Sequence, residues 1–176
     1  MSQSYRSIGP CPLLAPVPAV LVSCGAGGRT NLLTVAWSGI VNSKPPMVSI
    51  SIRPSRYSHG LIRESGEFVV SLADERHLDA LDFCGIRSGR EMDKFAAASL
   101  QRMPAPEMSE APAVAGLPVS LSCRVRHSLV LGSHELFIGE VVAVQVRDDL
   151  FDPDGSMHLE RAELVRSEER RVGKEC

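Results

Sequence analysis

Arginines and hydroxyl side chains crowd the run Ser51-Ile52-Arg53-Pro54-Ser55-Arg56-Tyr57-Ser58-His59, directly before and within the first turn of an expected helix. A helix start presents unpaired N–H groups and partial positive charge, and a guanidinium adds a fork that matches phosphate oxygens. A solvated, well-capped helix start has the same composition, so the run alone leaves both readings open. The single tryptophan, Trp37, lies in Asn31-Leu32-Leu33-Thr34-Val35-Ala36-Trp37-Ser38-Gly39, where small and polar residues interrupt an apolar strand. Small residues let a flat ligand approach the backbone and an aromatic ring can wall a π-system; a core or interface anchor is the alternative. Lys94 ends a glycine-containing loop that also carries Arg87 and Arg90, and it fits an anion site or a solvated surface lysine beside Asp93. His134, after Gly132-Ser133, could donate to a ligand oxygen or sit exposed in a turn.

Other chemistries lack their residues. A nucleophilic hydrolase needs an activated Ser or Cys with a base and an orienting acid, and no G-x-S-x-G is present. There is no Walker loop and no G-x-G-x-x-G entering a helix, and Gly25-Ala26-Gly27-Gly28 reads as a hairpin turn. Cys11, Cys24, Cys84, Cys123 and Cys176 form no C-x-x-C pair and the five histidines are scattered, so no metal site is expected. The cysteines are expected as free thiols, with Cys84 a buried, inert one.

Stepping the candidate residues into place requires β structure. Runs rich in Val, Ile, Leu and Thr, separated by Gly and Pro, predict strands over 17–24, 32–41, 47–53 and 67–72, with turns at 25–28 and 44–46. Val48, Ile50 and Ile52 alternate with Ser49, Ser51 and Arg53, so one face of that strand is polar. A short helix is predicted over 55–64 with Ser55 as N-cap, a second from an Asp74 cap to a break at Gly85, and a third over 91–100. Four prolines predict an extended connection over 101–118. A long hairpin follows, alternating from Leu121 to Leu131, turning at Gly132-Ser133 and returning over 134–147. About six mostly antiparallel strands with short helices make a mainly β fold, a small closed or partly closed barrel.

The 176 residues fit one domain, placed at 1–166. The final ten residues, 167–176, are charged and aperiodic and read as a non-native or disordered tail. A net charge of -2 with no dense basic block argues against nucleic acid as a partner. The apolar run near the N-terminus is interrupted by prolines and shorter than a bilayer span, so no membrane association and a cytoplasmic location are expected.

Pro16-Val17-Pro18, Asn31 to Trp37, Pro45-Pro46-Met47-Val48, Arg53 to Ile62, Gly66-Glu67-Phe68-Val69-Val70, Ser88 to Phe95 and Gly132-Ser133-His134 occur in an order that resembles the flavin reductase-like, FMN-binding split-barrel family, which includes flavoredoxin. The resemblance covers residues 14–165. It implies a homodimer of Greek-key split barrels with one non-covalent FMN per subunit near the interface. Asn31 would bond the flavin, Trp37 would lie beside the isoalloxazine, and main-chain groups of Thr34, Val35, Ala36, Trp37 and Ser38 would approach its edge. Arg53, Ser58 and Lys94 would hold the phosphate, Ser51 and Ile52 would touch the ribityl chain, Ser88 and Gly89 would close the loop, and His134 matches the family histidine near the flavin. No side chain need act as acid or base, because the flavin carries the redox chemistry. The implied activity is NAD(P)H-dependent flavin reduction, passing electrons or reduced flavin to an acceptor such as a monooxygenase. The alternatives are a flavoredoxin-type electron-transfer protein or a non-catalytic flavin-binding module. The tail lacks the aromatic residue that family members carry near the C-terminus against the flavin.

Overall fold

A computed structural model describes residues 3–165. Its main sheet has seven antiparallel strands: β1 (Val20–Ala26), β2 (Arg29–Val35), β3 (Ser38–Ser43), β4 (Pro46–Ile52), β5 (Glu67–Leu72), β8 (Val119–Val130) and β9 (Glu135–Val146). They are ordered β2-β1-β5-β8-β9-β4-β3. β2 and β3 are therefore the two edges, yet they are consecutive in the chain, separated only by Ala36 and Trp37. The sheet curls until its edges meet through one bent run of chain, which gives the expected mainly β split barrel. The expected single strand over 32–41 is corrected accordingly: small and polar residues permit a bend at Ala36-Trp37, and the chain changes from one edge to the other.

Other boundaries shift for identifiable reasons. β1 starts after Pro16 and Pro18, which lack an N–H for the ladder, and runs through Ala26, so the first turn is only Gly27-Gly28. Helix α1 (Tyr57–Ser65) is capped by Arg56 without a side-chain hydrogen bond, so Ser55 is not the N-cap. At its other end Gly66, at φ 71°, donates its N–H to Ile62, a left-handed cap suited to glycine. Asp74 opens a 3-10 turn, Glu75–His77, and α2 (Leu78–Ile86) follows through Gly85 instead of breaking there. One helical glycine costs only about 1 kcal/mol, and burial of Leu81 and Cys84 offsets it. The third helix, α3 (Lys94–Ala97), is shorter than the expected 91–100, starting where the Asp93 carboxylate accepts from the Phe95 N–H.

The 101–118 connection is not merely extended: β6 (Arg102–Met103) pairs with β7 (Ala113–Val114). The buried Glu67 carboxylate of β5 holds this hairpin by accepting from the N–H groups of Ser109, Glu110 and Ala111 and from the Ser109 hydroxyl. Two register shifts, at Ser122/Cys123 and Val125/His127, interrupt the simple alternation read for β8. His134 belongs to the turn, and β9 begins at Glu135.

The barrel interior holds Val20, Val22, Cys24, Leu33, Ile50, Ile52, Phe68 and Phe137, and α1 inserts Leu61 and Ile62 among them. On the outside, Leu21 and Leu32 pack under Leu81, Cys84 and Phe95 of α2 and α3. β1 is thus covered on both faces, which is why it reads as a continuous apolar run. Cys24, Cys84 and Cys123 are buried free thiols and Cys11 is an exposed one, while Cys176 and the tail at 167–176 lie outside the described residues.

Candidate functional site

A cavity of about 150 Å³ opens where β2, the first turn of α1 and the α2–α3 loop meet. β2 contributes Asn31 and Leu33, the approach to α1 contributes Arg53, Ser55, Arg56, Tyr57 and Ser58, and the far wall is Arg87-Ser88-Gly89-Arg90 with Lys94. Five cations face this space and no carboxylate lines it. Arg90 donates to the Ser55 carbonyl at 2.8 Å and lies 5.9 Å from the Tyr57 ring centre, fastening the loop to the start of α1. Among the described residues Arg53, Arg56 and Arg87 have no carboxylate partner. Such a concentration of unneutralised charge suits an anion bearing several oxygens.

The polar floor is preorganised. Asn31 is 3% exposed and its Nδ2–H donates to Ser58 Oγ at 2.8 Å. Gly89 packs directly on it: a Cβ there would lie 2.1 Å from Asn31 Oδ1, so only glycine lets the loop come this close. Lys94 is not a solvated surface residue. It is 2% exposed, and its ammonium donates to the carbonyls of Leu32 at 2.9 Å and Cys84 at 2.8 Å. Burial lowers its pKa, and the nearby Arg56 charge acts in the same direction. Burial pushes the Cys84 thiol up to about 11 and the Cys24 thiol up to about 12, so neither is a nucleophile at neutral pH.

At the seam between β2 and β3, Trp37 keeps 47% of its surface exposed, and its ring lies 4.5 Å, centre to centre, from that of His134. The two come from opposite ends of the barrel sequence. Partial burial and then the Arg53 charge lower the His134 pKa, disfavouring the charged imidazolium. Arg53 therefore belongs to both regions: it lines the cavity and acts electrostatically on His134. Backbone order at the seam is fixed by the Ser51 N–H, which donates to the Trp37 carbonyl at 2.9 Å.

Of the residues singled out in the sequence, Asn31, Arg53, Ser58, Ser88, Gly89 and Lys94 line the cavity, and Trp37 with His134 forms the seam wall. Ala36 and Ser38 flank Trp37, and Ser51 lies alongside on β4. Three side chains turn elsewhere: Thr34 donates its hydroxyl to the Leu81 carbonyl, and Val35 and Ile52 are packed in the barrel interior. Only their main-chain groups remain for a ligand. Arg56, Tyr57, Arg87 and Arg90, which lie in the same two runs, also line the cavity; one-dimensional spacing does not show that the two loops face each other.

Residues 14–162 match the sequence model of the flavin reductase like domain. An uncharacterized protein of Aeropyrum pernix is 30% identical over 92% of this chain, which spans 61% of that relative's length. An FMN reductase (NADH), RutF, of Stutzerimonas stutzeri is 25% identical over 77% of this chain and 74% of its own. Among solved structures, flavoredoxin of Desulfovibrio vulgaris (Miyazaki F) superposes with a TM-score of 0.84 at 30% identity, covering 93% of this chain and 87% of its own.

Proposed function

We propose, from the premise that this chain belongs to the flavin reductase like domain family, that it binds FMN non-covalently and acts as an NAD(P)H-dependent flavin reductase. The observation that carries this reading is a phosphate-compatible cavity and an exposed aromatic wall linked by Arg53, which lines the first and acts electrostatically on His134 in the second. Arg53, Arg56, Arg87, Ser58 and Ser88 would hold the phosphate, with Lys94, which also lines the cavity, adding its charge. Asn31 would bond the flavin, with Gly89 packed behind its amide. Trp37 and His134 would lie beside the isoalloxazine, the imidazole presenting a ring N–H donor. Main-chain groups from Thr34 to Ser38 would meet its edge, with Ser51 and the Ile52 backbone along the ribityl chain. Bound FMN supplies hydride acceptance and release of electrons singly or in pairs. The protein's part is to bind, orient and leave one face accessible, which the exposure of Trp37 allows.

The acceptor in this reading is a further protein, such as a monooxygenase taking reduced flavin, and the setting is cytoplasmic. No helix among the described residues is long and apolar enough to cross a membrane. The functional unit is a homodimer. Its interface lies on the apolar concavity bounded by Ile40, Met47, Val48, Leu121 and Val144, beside Ile40 at 86% exposure, a surface that water solvates poorly.

The test is an absorbance spectrum of purified protein before and after anaerobic NADH or NADPH. Flavin bands near about 450 nm that bleach on addition support the reading. A protein that neither binds added FMN nor oxidises either donor refutes it. The 30% identity to flavoredoxin favours a second reading, an electron-transfer protein whose bound FMN is reduced by a protein partner. Bound flavin without steady-state NAD(P)H oxidation would select it.

A further inference from the structure

Glu135 opens β9 immediately after His134, and only 2% of its surface reaches solvent. A carboxylate so placed must be paired. His59 Nε2–H donates to its Oε2 at 2.7 Å, and Nη1 of Arg63 donates to both oxygens at 3.0 and 3.1 Å. Burial opposes ionisation of Glu135, but hydrogen bonds from His59, the Ser128 hydroxyl and Arg63 outweigh it and keep the carboxyl below its usual range. The His59 ring also meets Phe137 edge-on at 5.4 Å.

His59 and Arg63 are four residues apart on α1, so the carboxylate grips one face of the helix that presents Ser58 to the cavity. That helix has no side-chain N-cap bond; in its first turn Ser58 accepts from Asn31 and His59 donates to Glu135. Buried ion pairs are often no more stabilising than apolar packing of equal volume, so their use is better explained by geometry than by stability. The strand side is secured separately: Glu135 sits in the ladder opposite Ile52 and Val130. Losing the carboxylate would loosen the first turn of α1, which Leu61 and Ile62 still anchor in the barrel, while leaving the Trp37–His134 wall in place.

We propose that Glu135 is the positioning residue of the anion cradle, holding the first turn of α1 against β9 through His59 and Arg63. This rests on the flavin reading above. Charge-assisted bonds to phosphate have a narrow optimum near about 2.7–2.9 Å, whereas contacts to a flavin ring tolerate small displacements. The effect therefore falls on the phosphate and spares the ring.

The experiment compares Kd for FMN and riboflavin, by quenching of flavin fluorescence, in the wild type, Glu135→Gln, His59→Leu and His59→Gln, with thermal melts alongside. The ratio of riboflavin Kd to FMN Kd is expected to fall at least about fivefold in Glu135→Gln and His59→Leu. His59→Gln, whose amide N–H reaches toward the carboxylate, should recover most of it. An unchanged ratio, including parallel weakening of both flavins, overturns the positioning role and leaves the flavin site standing. A wild-type ratio near one overturns it too, because no cradle would then act on the phosphate. Binding of neither flavin by the wild type overturns the flavin reading and this inference with it. If Glu135→Gln does not fold, the two His59 variants decide, since both retain the carboxylate and Arg63.

Discussion

Two of the three N–H bonds of Lys94 point at the carbonyls of Leu32 and Cys84, so this cation braces β2 against α2 before it can serve a ligand. Its replacement should have two effects. Lys94→Ala is expected to weaken FMN binding at least about tenfold, near 1.4 kcal/mol, and also to lower Tm, because two buried carbonyls lose their donor. Trp37→Ala, at an exposed position, should weaken FMN and riboflavin alike by at least about tenfold with Tm little changed. Titration of both flavins checks each variant, and unchanged FMN affinity in both would remove these residues from the site. The candidate side chains were legible from type alone, since Arg, Ser, Lys and Trp declare what they can bind. The commitment of Lys94 and Thr34 to backbone carbonyls was not, because those partners lie on other elements.

The hairpin of β6 and β7 is tied to other elements at several points: Ser23 donates to the Pro112 carbonyl, Arg124 donates to the Glu107 carbonyl, and Glu67 supplies a buried carboxylate. Glu67 receives three backbone N–H groups and one hydroxyl, and although burial works against its ionisation, these bonds hold its carboxyl below the usual range. A carboxyl whose folded pKa is depressed adds stability that is complete above its unfolded value, near about 4.3, and disappears as pH falls through the lower folded value. Asp74 and Glu135 are buried carboxyls shifted in the same direction. The wild type should therefore lose Tm as pH drops from about 5 to 3, and Glu67→Gln should be less stable at pH 7, by about 1.5–3 kcal/mol, with a flatter acid limb. Melting curves across that range check it; parallel curves for the two proteins would mean that Glu67 adds no pH-linked stability. Proline spacing announced a connection over 101–118 but could not reveal that a glutamate over thirty residues away helps hold it as a hairpin.

At the scale of the molecule, a seven-stranded sheet closes through its bent edge run but leaves Ile40, Val41 and Val144 exposed. If a second copy covers this face, Ile40→Asp should shift the species eluting at twice the chain mass to the monomer, read by light scattering after size exclusion. A wild-type monomer would rule out the dimer, and a dimer untouched by the substitution would place the interface elsewhere. The sequence by itself determined the mainly β class, the strands at β4, β5 and the β8–β9 hairpin, and the residue types able to hold a phosphate and wall a ring. These follow from period-two alternation and side-chain chemistry, which are local properties. Only the tertiary structure decided that β2 and β3 are separate edges bent at Trp37, that Trp37 meets His134, and that Arg56, Arg87 and Arg90 share one cavity. Those facts depend on strand order and loop approach, and contacts between residues far apart in the chain leave no periodic trace along it.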